Sequence, residues 1–242
     1  EQAFLSWCSM NLFDAHCHLQ DDRLAADLDA VMLRAGQSGV RRFLCCGSSE
    51  TDWPQVADLA TRYPGIIPAF GLHPWYVRER SPDWLDQLGR HLQTTASAVG
   101  EIGLDHAIEP RNDEEQESVF VAQLDLARRL NRPASIHCRR AWERLLAILQ
   151  TSGPLPRGFM IHSYSGGPEL VKPLADLGAF FSFSGSITRS GNRRGHRAAR
   201  EVPDDRLLAE TDAPDLPPVI RDGDNVIEPA VNEPSNLRIV IA

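Results

Sequence analysis

Eight short apolar or β-branched runs alternate with seven longer segments of helical period, a pattern that predicts an α/β chain folded as a (β/α)8 TIM barrel lacking its final C-terminal helix. Two further observations support that class. Neither GxGxxG nor GxxxxGKS/T occurs, which argues against a doubly wound nucleotide-binding sheet. Eight strands in 242 residues also suit a closed barrel better than an open sheet.

In chain order, residues 11–16 form the first expected strand, and a helical period follows over 24–37. The second unit pairs 41–46 with a helix over 53–62, and the third pairs 66–71 with 82–94. A fourth strand over 98–102 leads to the longest helix, 114–130, where Asp113 offers N-cap chemistry and Gln116 stands at capping-box spacing. Strands over 134–137, 158–162 and 179–183 are followed by helices over 141–150, 168–177 and 196–201. The eighth strand, 206–210, runs into a proline-rich loop. At Glu233-Pro234-Ser235 a helix begins, but only about two turns remain before Ala242. A barrel closed without that helix is expected to expose apolar surface between its first and last strands and to be less stable. Residues 1–9 read as an extension and 10–242 as a single domain.

Composition narrows the functional classes. With 42% hydrophobic and 24% charged residues the chain is a globular protein, and no apolar run approaches a membrane span. The charge of −8, from 25 basic and 33 acidic residues, excludes a global positive field toward nucleic acid or anionic lipid, so polyanion binding must be local. Five cysteines, Cys8, Cys17, Cys45, Cys46 and Cys138, lie mostly in apolar stretches without paired spacing. They read as small buried side chains in a reducing compartment, and the chain as a cytoplasmic monomer.

The chemistry collects at strand ends. Asp14-Ala15-His16-Cys17-His18 places two imidazoles at i and i+2, on one face of an extended strand. Glu101 ends the fourth strand, His137 the fifth and His162 the sixth, and Asp212 follows the eighth. In a (β/α)8 barrel those ends meet at one mouth, so His16, His18, Glu101, His137, His162 and Asp212 form a candidate ligand set for two divalent ions. The bridging candidate is Glu101, because the chain's single lysine, Lys172, sits in an expected helix. His73 lies just past the third strand and is a candidate substrate contact. Arg139, Arg193 and Arg194 stand where guanidinium groups would meet a phosphate backbone, the last two after the seventh strand, near the usual phosphate site of such barrels. Trp75 and Tyr76 fall in a mouth loop, where they could stack an unpaired base, although one of them is expected to pack beneath the loop.

These segments, DAHCHL, GLHP, VGEIGLD, SIHCRRA, HSYSGG, SFSGS, ETDAPDLP and the late NEP, resemble the TatD family of metal-dependent hydrolases over most of the chain, from about Phe13 to Pro234. That resemblance implies a two-metal phosphodiesterase with deoxyribonuclease activity, one ion held by His16, His18, Glu101 and Asp212, and the other by Glu101, His137 and His162. The ions, Mg, Mn, Zn or Ni, would make hydroxide available at neutral pH and polarise a phosphoryl oxygen, with Asp212 and Glu101 as the catalytic carboxylates. The resemblance implies DNA ahead of RNA, with 3′-to-5′ exonuclease-like digestion, and single-stranded ends are expected over an intact duplex because a barrel mouth is concave and narrow. Two alternatives stay open on the ligands alone: a metal-dependent amidase or esterase acting on a small substrate, and an inactive shortened scaffold.

Overall fold

A computed structural model of the protein describes residues 11–222 and 225–242. Eight parallel strands follow one another around a barrel in chain order: β1 (Leu12–Cys17), β2 (Val40–Cys46), β3 (Ile66–Phe70), β4 (Ala98–Asp105), β5 (Ala134–Arg139), β6 (Phe159–Ile161), β7 (Ala179–Phe183) and β8 (Leu207–Ala209). The strand β4 is buried along its whole length, as a parallel strand covered on both faces must be. Around the barrel lie α1 (Asp22–Ala25), α2 (Leu28–Gln37), α3 (Trp53–Arg62), α4 (Trp84–Thr94), α5 (Asp113–Arg129), α6 (Trp142–Ser152), α7 (Val171–Asp176) and α8 (Arg193–Glu201). Each main helix buries one stripe. In α3 that stripe is Trp53, Val56 and Leu59, and in α4 it includes Trp84, Leu88 and Leu92. The longest helix, α5, also carries Asp113, Glu114 and Glu115 in its first turn and Arg128 and Arg129 in its last, the arrangement its dipole favours.

Several local expectations are corrected. The helix expected over 24–37 is two helices, because Asp27 leaves helical geometry between the buried Leu24 and Leu28. The segment 168–177 opens with a 3-10 turn, Pro168–Leu170, before α7. At α5 the N-cap position belongs to Asn112, while Asp113 pairs with Arg111 at 2.6 Å. Gln116 turns inward instead of completing a capping box. Its amide receives the Asp105 N–H at 2.8 Å and donates to the Asp105 carbonyl at 2.9 Å. The fourth and fifth strands also run past the expected Glu101 and His137 ends, to Asp105 and Arg139. Gly103 permits this: in register with His137 and with φ of 142°, it lies where any Cβ would overlap the His137 carbonyl.

The barrel closes between β8 and β1 just beyond the strand ends. Backbone bonds join Asp212 N–H to the His16 carbonyl at 2.9 Å and His18 N–H to the Ala213 carbonyl at 2.7 Å. Between them the buried Asp14 carboxylate accepts the Thr211 N–H at 2.8 Å and the Thr211 hydroxyl at 2.5 Å. Lower on the same seam Phe13 and Leu207 are 37% and 45% exposed. After β8 come an antiparallel hairpin, β9 (Ile220–Asp222) with β10 (Asn225–Ile227), a 3-10 turn over Pro234–Asn236 and α9 (Leu237–Val240). Cys17, Cys45, Cys46 and Cys138 are free thiols buried in the core, and Cys8 and the expected 1–9 extension lie outside the described residues. No helix among the described residues is long and apolar enough to cross a membrane.

Candidate metal centre

The strand ends bring five imidazoles and two carboxylates together, all buried or nearly so. Glu101 stands at the middle with its two oxygens facing different partners. Its Oε1 lies 2.8 Å from His162 Nε2, 2.9 Å from His137 Nδ1 and 3.3 Å from His73 Nε2. Its Oε2 lies 3.2 Å from His18 Nε2 and 3.3 Å from His16 Nε2. Asp212 Oδ1 approaches the second pair from further off, 3.7 Å from His18 and 3.8 Å from His16. Its backbone sits in the left-handed region, φ 58°, a conformation aspartate tolerates better than most residues and one held here by the bond to the His16 carbonyl.

The outer nitrogens of these rings explain which inner ones can ligate. His18 Nδ1 faces the Cys46 carbonyl at 2.8 Å, and a carbonyl accepts only, so Nδ1 carries the hydrogen and Nε2 offers a lone pair. His137 Nε2 faces the Asp105 carboxylate at 3.3 Å, with the same consequence, while His162 Nδ1 lies 3.5 Å from Glu210 without a hydrogen bond. His16 Nδ1 bonds the Ser135 hydroxyl at 3.0 Å. His73 has the opposite polarity. Its Nδ1 accepts the Trp75 backbone N–H at 3.2 Å, so its Nε2 bears the hydrogen and presents a donor to Glu101, not a lone pair.

Lone pairs directed at one another need something positive between them. His16 and His18 Nε2 are 3.2 Å apart, and His137 Nδ1 and His162 Nε2 are 3.1 Å apart. Each pair faces one oxygen of Glu101, so the donor set fits divalent cations. Possible ligand atoms gather within 4.8 Å in three groups: His16, His18 and Glu101; His16, His162 and Asp212; and His73, Glu101 and His137, although in the third His73 faces Glu101 as a hydrogen-bond donor.

Charge within the cluster follows the same layout. Burial pulls every imidazole toward neutrality, and it prevails at His16 and His73, each lowered to about 4. At His18 burial is outweighed by Glu101 and Asp212, which together push it up to about 9. His137 and His162 are likewise raised against burial by nearby carboxylates. Burial would raise Glu101, yet the surrounding histidines hold it well below the usual carboxylate range. Asp212, with less compensation, is pushed by burial up to about 7.

The six sequence-derived ligands thus meet in one place, and His73 joins them through Glu101. Arg139, Arg193 and Arg194 do not: all three are exposed and none contacts the cluster. Sequence reading missed the residues that orient the cluster, Ser135, Asp105 and Glu210, and also Asn232. The Asn232 side chain donates to the Thr211 and Asp215 carbonyls at 2.8 and 2.9 Å, clamping both ends of the segment that carries Asp212. Both Asp105 and Asn232 sit inside motifs already noted, VGEIGLD and NEP, and that was their available signal.

Comparison with known proteins agrees with this architecture. The model of the family described as TatD related DNase matches residues 13–242. The chain is 32% identical over 235 residues to the uncharacterized metal-dependent hydrolase YcfH of Escherichia coli K12, covering 96% of this chain and 86% of that one. It is 31% identical over 210 residues to the uncharacterized metal-dependent hydrolase YabD of Bacillus subtilis strain 168, covering 86% and 82%. The crystal structure of YjjV, a TatD homologue from Escherichia coli K12, superposes with a TM-score of 0.87 at 31% identity, covering 95% of this chain and 87% of that one. The parallel barrel, its order of strands and this likeness along nearly its whole length lead to one assignment: the chain belongs to the TatD family of metal-dependent hydrolases.

Proposed function

We propose that the protein is a divalent-metal-dependent phosphodiesterase that removes nucleotides from the 3′ end of single-stranded DNA. The observation that carries this reading is the division of the Glu101 carboxylate, one oxygen toward His16 and His18 and the other toward His137 and His162. A carboxylate so shared suits two ions, one ligated by His16, His18, Glu101 and Asp212 and the other by Glu101, His137 and His162. When bound, such a pair supplies Lewis acidity to a phosphoryl oxygen and an activated water at neutral pH.

The chain's own groups do the rest. Glu101 holds the two halves of the site in register, with its charge kept on by the surrounding imidazoles. Asp212 accepts the proton of the attacking water. It stands further from the histidines than Glu101 does. His73 turns a fixed N–H donor toward Glu101 and is assigned to the substrate side, with Arg139, Arg193 and Arg194 as charges for the phosphate backbone.

Phosphodiester chemistry is favoured over amide chemistry by these rim arginines. Arg193 and Arg194, joined by Arg197 and Arg200 along α8, are exposed and make no ion pair among the described residues. The test is digestion of end-labelled single-stranded DNA with Mg2+ or Mn2+. A 3′-to-5′ ladder from the wild type, reduced to background in Glu101→Ala, is expected. Hydrolysis of an amide panel with DNA untouched would replace the reading with the amidase one.

A further inference from the structure

We propose that Trp75 is a stacking platform for one unpaired nucleobase beside the scissile bond, an assignment that rests on the nuclease reading above. Trp75 is 51% exposed, whereas Tyr76 packs against the core. Such exposure would be unremarkable on a free side chain, but this indole is fixed. Its Nε1–H donates to Asp105 Oδ2 at 2.7 Å, its backbone N–H donates to His73 Nδ1, and its ring meets His73 edge-on at 5.0 Å and 89°.

Both anchors belong to the centre. Asp105 faces His137 through the same oxygen that holds the indole, and His73 faces Glu101. The indole therefore stands one residue beyond the groups around Glu101, tied at one edge and open on a face. Holding a large ring in one orientation with about half of its surface in water loses rotamer freedom for partial burial, a cost that a ligand face would recover.

The chemistry of that ligand follows from the surface. A flat π-face with no side-chain polar group left to offer recognises another flat π-face and reads no hydrogen-bond pattern, as in sequence-tolerant base stacking. The base must be unpaired, since a duplex base is already stacked on both sides. Charge lies at the right place as well. Arg139, exposed, is the register partner of Asp105 across β4 and β5, so a cation for the adjoining phosphate sits one strand from the indole's anchor.

The experiment compares metal-loaded wild type with Trp75→Leu and Trp75→Phe on two labelled oligothymidines, one normal and one abasic at its three 3′-terminal positions. Leucine keeps an apolar side chain without a ring, and phenylalanine keeps a ring without the N–H. For the normal strand, KM in Trp75→Leu is expected to rise about ten-fold with a much smaller change on the abasic strand, and Trp75→Phe to retain most of the discrimination. A merely structural role would change both strands alike, and that result, or no change with either, overturns the platform. Should the wild type cut neither strand, the nuclease reading fails, and the platform is then decided by anisotropy with the same strands carrying non-hydrolysable 3′ linkages. Tighter binding of the normal strand that Trp75→Leu abolishes would sustain it, and equal binding would refute it.

Discussion

At the centre every imidazole has an inner and an outer nitrogen, and the outer partner decides what the inner one can do. Asp105 and the Cys46 carbonyl act as acceptors for His137 and His18 and so turn the lone pairs inward, while the Trp75 N–H reverses His73. Carboxylates in such positions raise ligand basicity as well as fixing the ring, and their loss typically weakens metal affinity by about 10–100-fold. Asp105→Ala is therefore expected to weaken divalent-ion binding by about that factor while the fold persists, as read by a competitive metal titration alongside circular dichroism. Undiminished affinity would remove Asp105 from the account. The inner residues were legible because His16, His18, Glu101, His137, His162 and Asp212 stand at or near strand ends, whose convergence the barrel dictates. Their partners were not legible. A backbone carbonyl such as that of Cys46 has no sequence signature, and Asp105 gains its role only where β4 runs beside β5.

At the scale of elements, α5 is tied to the barrel by two buried glutamines one heptad apart. Gln116 satisfies both backbone groups of Asp105, and Gln123 does the same for Leu72, receiving its N–H at 2.7 Å and donating to its carbonyl at 3.1 Å. These are the residues that bracket the site, since Leu72 precedes His73 and Asp105 holds His137. Replacing Gln123 with alanine leaves a buried N–H and a buried carbonyl unpaired, and a loss of about 1–3 kcal/mol in urea denaturation is expected. Sequence reading placed Gln116 in a capping box because its spacing from Asp113 permitted it. The burial that turns the amide inward depends on β4 extending to Asp105, which a local window does not contain. A second element-scale prediction concerns His91 on α4, between the Trp53 and Phe70 rings at 5.6 and 5.0 Å. Burial, aided by Arg90, lowers its affinity for protons in the folded state. The unfolded chain thus binds the proton more readily, so this contribution to stability is present above the unfolded value near 6.5 and is lost as pH falls below it. His91→Gln should flatten the pH dependence of the melting temperature between about 7 and 5. An unchanged slope would count against it.

Over the whole molecule, the formal charge of −8 conceals a division of labour. Buried carboxylates gather at the centre, while Arg139 and the arginines of α8 are exposed, so net charge alone is a poor guide to the local field that the proposed substrate would meet. The barrel itself was legible because its strands alternate with helices in chain order. Its closure was not, resting as it does on Asp14 meeting Thr211 nearly two hundred residues later. Ions bound across strand ends should stabilise the fold by mass action. At a free concentration 100 times the dissociation constant the gain is about 2.7 kcal/mol, so chelation should lower the melting temperature by about 5–10 °C. A thermal scan with and without EDTA checks this, and Glu101→Ala should abolish the difference. The most direct test of the central claim is anomalous diffraction from crystals grown with Mn2+. Two peaks are expected, one on each oxygen of Glu101, the first among His16, His18 and Asp212 and the second between His137 and His162. A single ion, or two ions that do not share Glu101, would contradict it.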